Sequence, residues 1–311
     1  MNPAFSVVCF TTLAGAAQGL VVALALAMLA RVPMAPAYLA RGLGVAIVLL
    51  CAGLAASFLH LGRPARAWRA AAMWRTSWLS REVIVLPAFI ALVALWWLGL
   101  ARAAPPVLTQ LVLPLAAIAV AVLLWYCTAM IYACLRFIEE WAQPLTLVNF
   151  VMLGIASGFV LASALAALAG ERAFLAASGP AALVATLVAW ATRMAALRHN
   201  AAIRHRSTLQ SATGIRAARL VQTSMGMSAG SFNTREFFHR ASRLAMRRIR
   251  LAVIVLAFAA PLVIMLLAWA TAAAPLWIVA ALVQAPGLLA DRWLFFAQAK
   301  HPQNLYYQVV S

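Results

Sequence analysis

The chain has 311 residues, of which 66% are hydrophobic and 10% charged, with a mean hydropathy of +0.96. A soluble domain carries about 25% charged residues, so this composition excludes one and predicts an integral membrane protein in contact with the lipid bilayer. The net charge of +18 rests on only six acids; the basic residues flank apolar runs and no recognition fold is visible, so the charge reads as a membrane-orientation signal and nucleic-acid binding is not expected.

Apolar runs near 20 residues recur at roughly 5–30, 42–59, 82–101, 107–135, 147–169, 174–196, 251–271 and 275–298. They predict an all-α bundle of eight transmembrane helices in a single membrane domain over 1–311, not the ~10-residue alternation of an outer-membrane barrel. The first residues lack a basic n-region and the first run is long enough to cross, so it reads as a span and not as a cleaved leader. Pro33 and Pro36 break the first connection, Pro105-Pro106 ends the third span, Pro144 precedes the fifth, and Ala272 to Pro275 makes a tight last turn. Gly15-x-x-x-Gly19 and Gly154-x-x-x-Gly158 predict close helix approach. Gln18, inside the first of these, requires a partner helix or water at depth. Cys9, Cys51, Cys127 and Cys134 all fall in apolar runs without a C-x-x-C pair, and read as small hydrophobes. Four such scattered cysteines do not ligate an iron–sulfur cluster within this chain.

An even number of spans puts both termini on one side. That side carries twenty Lys and Arg, against four (Arg31, Arg41, Arg102, Arg172) on the other. The positive-inside rule then places the termini and basic loops in the cytoplasm of a bacterial inner membrane. Twelve of the twenty, from Arg193 to Arg250, are assigned to the one sizeable extramembrane loop, 197–250. Its end, Thr234 to Arg250, has Phe237, Phe238, Ala241, Leu244 and Ala245 at helical spacing. This predicts an amphipathic lead-in to the seventh span, with partner docking as the alternative.

Scarce acids and histidines locate the candidate chemistry. No acid falls at mid-bilayer, which argues against a proton pump, and no histidine has an intramembrane mate, so haem is not expected. His60 ends the second span and is followed by five arginines (Arg63, Arg66, Arg69, Arg75, Arg81), three tryptophans (Trp68, Trp74, Trp78) and Glu82 at the mouth of the third. Asp291 and Arg292 end on the same side by the span count. Quinol oxidation needs a proton acceptor, which a neutral imidazole with a pKa of ~6.5 supplies, and an exit carboxylate, for which Glu82 is placed. Headgroup anchoring by Arg and Trp accounts for the same residues without chemistry. Anionic lipid or an acidic partner subunit against Arg63, Arg69, Arg75 and Arg81 is the expectation for the basic edge.

The stretch His60-Leu61-Gly62-Arg63-Pro64-Ala65-Arg66-Ala67-Trp68 resembles the H-L-G-x-P-x-R-A-W/F motif of the DmsC-like anchors, the membrane subunits of DMSO reductase-type molybdoenzymes. Ser80-Arg81-Glu82, Leu145 to Gly158, Ser211 to Gly214 and Asp291 to Phe296 are similar to further segments of that family. Arg63 stands where a small or polar residue is expected. The resemblance implies a haem-free anchor that exchanges electrons between menaquinone or ubiquinone and a ferredoxin-like subunit with four [4Fe-4S] clusters, which serves a molybdopterin catalytic subunit. Molybdenum and clusters would then be held by those partners. It implies His60 and Glu82 as the catalytic pair, with Leu61, Gly62, Arg66, Trp68, Asp291 and Arg292 around the quinone. The rival readings are a small-molecule transporter, which predicts a midplane polar site with broken helices, and a passive anchor.

Overall fold

The computed structural model describes residues 1–59, 61–224, 232–239 and 241–307. It is all-helical, with no strand among the described residues. Eight helices are long and apolar enough to cross a membrane: α1 (Phe5–Leu29), α2 (Pro36–Phe58), α3 (Trp78–Ala101), α4 (Leu108–Ala133), α5 (Pro144–Ala169), α6 (Arg172–Ala202), α7 (Arg243–Thr271) and α8 (Pro275–Gln298). The helices outrun the apolar runs where caps and prolines extend them. Pro36 and Pro144 occupy first-turn positions that need no N–H. The Ser77 hydroxyl accepts from Ser80 N (3.3 Å) and starts α3 four residues before Glu82. α5 stops on Gly170, whose φ of 73° lets the chain turn.

Two rings of four helices make the bundle. In the first, α1 packs on α2, α2 on α3, α3 on α4 and α4 back on α1; in the second, α5 to α8 repeat that order. The α1–α5 crossing joins the rings, supported by α4 on α5 and α1 on α8. Two-thirds of the apolar window of α1 is buried, more than of any other helix, so α1 is the core element. The glycine motifs act where expected: a Cβ on Gly19 would overlap the Gly154 backbone, and one on Gly158 would overlap that of Gly19. Gly15 is the exception, with open space beside it. Gln18 donates to Ala14 O (3.0 Å) in its own helix.

Two spans contain a widened π turn, Leu108–Val112 in α4 and Val253–Ala259 in α7. Each lies just before a proline, Pro114 and Pro261. Proline lacks an N–H and crowds the carbonyl one turn back, and widening relieves both. Lipid offers no hydrogen bond to carbonyls left over, and neighbouring side chains take them. Trp96 Nε1 donates to Thr109 O (2.9 Å) and Gln284 Nε2 to Ala257 O (3.3 Å).

The start of the chain and the end of α8 share one face, the terminal face: the Met1 amine donates to Ala299 O (2.9 Å). The connections after α2, α4 and α6 lie on that face by helix alternation. The amphipathic lead-in to α7 begins at Arg243, with the Ser242 hydroxyl accepting from Ala245 N (3.1 Å), and not at Thr234. Phe237 and Phe238 fold into the face instead.

Candidate functional site

At the start of α3, Glu82 is 5% exposed, enclosed between α3 and α4. Its carboxyl accepts a hydrogen bond from the Thr128 hydroxyl of α4. No cation contacts it among the described residues. Arg81, one residue earlier, turns the other way: its guanidinium lies 4.0 Å from the centre of the Trp78 ring and donates to Trp74 O (2.9 Å) and Arg75 O (2.8 Å). It thereby pins the connecting loop onto the helix. Trp78 in turn meets Tyr126 edge-on at 5.2 Å.

The loop itself is open. Leu61, Gly62, Arg63, Arg66, Trp68, Arg69 and Arg75 all reach the surface, Trp68 by 70%. A short 3-10 helix at Pro64–Ala71 carries the middle of them. His60 lies outside the described residues. The result is an exposed band of indoles and guanidinia beside one buried carboxyl.

Asp291 and Arg292 belong to a second polar group, in the other ring of helices. Arg193 Nε of α6 meets Asp291 Oδ1 at 2.5 Å, with both side chains buried. Arg292 stacks 4.0 Å from the Phe150 ring. No hydrogen bond or ion pair joins this group to Glu82 among the described residues. Between them stands Tyr132, at the end of α4, within electrostatic reach of both Glu82 and Arg292. It stacks on Phe150 (5.7 Å) and meets Trp141, Phe295 and Phe296 edge-on, closing the seam between the rings of helices with aromatic carbon.

Above the second ring, the terminal face encloses a cavity of about 960 Å³. Glu140 lines it, buried, accepting from Lys300 N (3.3 Å) and lying 3.6 Å from His205 Nε2. Glu139 accepts from Arg206 N (2.9 Å). His301 stacks flat on Phe237 at 4.1 Å. Burial lowers the pKa of His239 and His301, and the N-terminal ammonium adds to the shift; burial also pushes that amine down to about 6, opposed by Glu140. A histidine lowered below its ordinary 6.5 stabilises the folded face fully above that pH and loses the contribution as pH falls through the folded value. Acidification below about 6.5 should therefore loosen the 232–239 contact with Pro302–Tyr306, seen as faster amide exchange there after correction for intrinsic rates, with α1 and α5 unchanged.

Three residues of these sites escape a reading of the sequence. Thr128 and Tyr132 sit in an apolar run with no local signal. Arg193 counts with the basic loop by sequence, yet it lies 3% exposed inside α6, and Arg292 is likewise buried inside α8; without these two the sequence count is still eighteen basic residues against four. Its signal is Asp291, a lone acid in a span that needs a cation on a facing helix. Among the described residues no group of three or more His, Cys, Asp or Glu is placed to hold a metal.

A known protein matches the chain in sequence along its length. The chain is 49% identical to a sulfite dehydrogenase subunit from Allochromatium vinosum, with 100% of each chain covered. The profile of the DMSO reductase anchor subunit (DmsC) matches residues 1–298, and the chain belongs to that family, as a multi-pass membrane anchor subunit of a molybdoenzyme-type oxidoreductase.

Proposed function

We propose that this anchor exchanges electrons and protons between the quinone pool and an iron–sulfur partner subunit at the edge formed by the 59–77 loop and Glu82. The observation that carries the reading is a buried carboxyl with a single hydroxyl partner, set beside an exposed aromatic and basic loop. A quinone fits these residues. Its ring finds indole surface at Trp68 and a hydrogen-bond donor at Arg66, on the loop that carries Leu61 and Gly62, and the apolar walls of α2 and α3 suit its tail; His60 is assigned to it from the sequence. Bound there, the quinone takes or gives two electrons and two protons. His60 and Glu82 hold those protons at the imidazole and the carboxyl, and Thr128 orients the carboxyl. Arg63, Arg69 and Arg75 face an acidic partner; Arg81 fixes their loop. Asp291 and Arg292, being in the other ring, serve a different purpose.

The similarity to a sulfite dehydrogenase subunit supplies a direction. Sulfite and water yield sulfate, two protons and two electrons, which is the count one quinone accepts. We assign the oxidation to a molybdenum partner, with electrons passing through iron–sulfur clusters into the pool and the basic face lying in the cytoplasm.

The test uses the complex in native membranes. Sulfite should reduce added quinone, and His60→Ala should abolish this while sulfite still reduces an artificial acceptor at the partner subunit. Quinone reduction that survives His60→Ala within a few-fold would move the site elsewhere, and a wild-type complex inactive with sulfite would leave another donor.

A further inference from the structure

We propose that Arg193, Asp291 and Arg292 form a binding site for one small inorganic anion of halide size, enclosed in the membrane domain where α5, α6 and α8 meet. Two guanidinia, which stay protonated in proteins, face one carboxylate, and all three side chains are at least nine-tenths buried. Arg193 is satisfied in part, through Asp291 Oδ1 and, at 3.5 Å, Asp291 O. Arg292 makes no hydrogen bond among the described residues; its contact is the face of Phe150. The local group is therefore one negative charge short, in a place where an uncompensated charge is costly.

The space beside it is small and partly polar. Asp291 and Arg292 line two adjoining cavities of about 10 Å³ each. One continues past Thr11, Thr12 and Ser157 at the α1–α5 crossing, beside the open flank of Gly15. The other runs past Asn149 and Arg193 to Glu140. That carboxylate is held at the outer end by Lys300 N and His205 and does not touch Arg292. Such volumes hold about one water molecule or one ion of similar size; phosphate, sulfate, a carboxylate or a quinone ring is too large, so an anion bound there is monatomic. Entry is from the 960 Å³ cavity, whose wall shares Glu140 and Asn200 with the inner one and carries Arg250 and Lys300.

The purified full-length complex is unfolded thermally in sodium chloride and in sodium gluconate at equal ionic strength. Chloride should raise the midpoint of the anchor saturably, by a few degrees, since an ion bound only by the folded state stabilises it by mass action. Arg292→Gln should abolish the chloride dependence and unfold in gluconate no lower than the wild type, because the excess charge is gone. Equal wild-type midpoints in the two salts, or a chloride effect retained in Arg292→Gln, overturn the proposal. Should the variant fail to assemble, crystals of the wild type grown in bromide decide it. An anomalous peak within hydrogen-bond distance of the Arg292 guanidinium supports the site, and water alone there overturns it.

Discussion

Glu82→Gln should lower quinone-linked turnover by about a hundred-fold or more, while the complex still assembles and binds a quinone-site inhibitor. Loss of a positioned acid–base group costs roughly 10²–10⁴ in rate. The amide keeps the size of the carboxyl and still accepts from the Thr128 hydroxyl, so the contact between α3 and α4 survives, but it cannot take up or release a proton. Steady-state kinetics with sulfite as donor, set beside inhibitor titration, separates the roles. Normal turnover at saturating quinone with inhibitor binding gone would make Glu82 a positioning residue, with the proton leaving by another path.

Gly158→Leu should prevent assembly of the bundle outright. Even a Cβ at this position runs into the Gly19 backbone, and at Gly154 it would stand 2.6 Å from Trp125 Nε1. Overpacking a core by ordinary amounts costs about 1–3 kcal/mol through shifts of flexible side chains. Here the obstacle is main chain, so α1 and α5 must part, and with them the contact between the two rings of helices. Gly15→Ala is the matched control, since nothing lies within 4 Å of a Cβ there. Expression and detergent-resistant assembly should be lost in Gly158→Leu and kept in Gly15→Ala; a folded Gly158→Leu would mean that the crossing is not the joint of the bundle.

The span count is legible because hydropathy alone decides which segments cross lipid, and the two glycine motifs mark faces of close approach; that the faces meet each other, α1 on α5, comes from the packing. Glu82 stands out through scarcity. Its partner does not: Thr128 is one hydroxyl in an apolar run, and only the packing of α4 on α3 brings it to the carboxyl. The span count groups Asp291 and Arg292 with Glu82, whereas the structure sets them in the other ring of helices beside Arg193, since counting spans orders helices along the chain and not around the bundle. The π turns have a visible cause in Pro114 and Pro261, whereas the donors that complete them, Trp96 and Gln284, follow from tertiary contact.

The central position of α1 also sets a problem of timing. Its tightest partner, α5, begins 115 residues after α1 ends, and at about 5–20 residues per second synthesis takes several to roughly twenty seconds to reach it. Through that interval the glycine face of α1 and the buried Gln18 have only α2 to α4 for company. The nascent anchor is thus half a bundle with an open flank in the bilayer, and that flank is the surface on which insertion factors or quality-control proteases would act before α5 arrives to cover it.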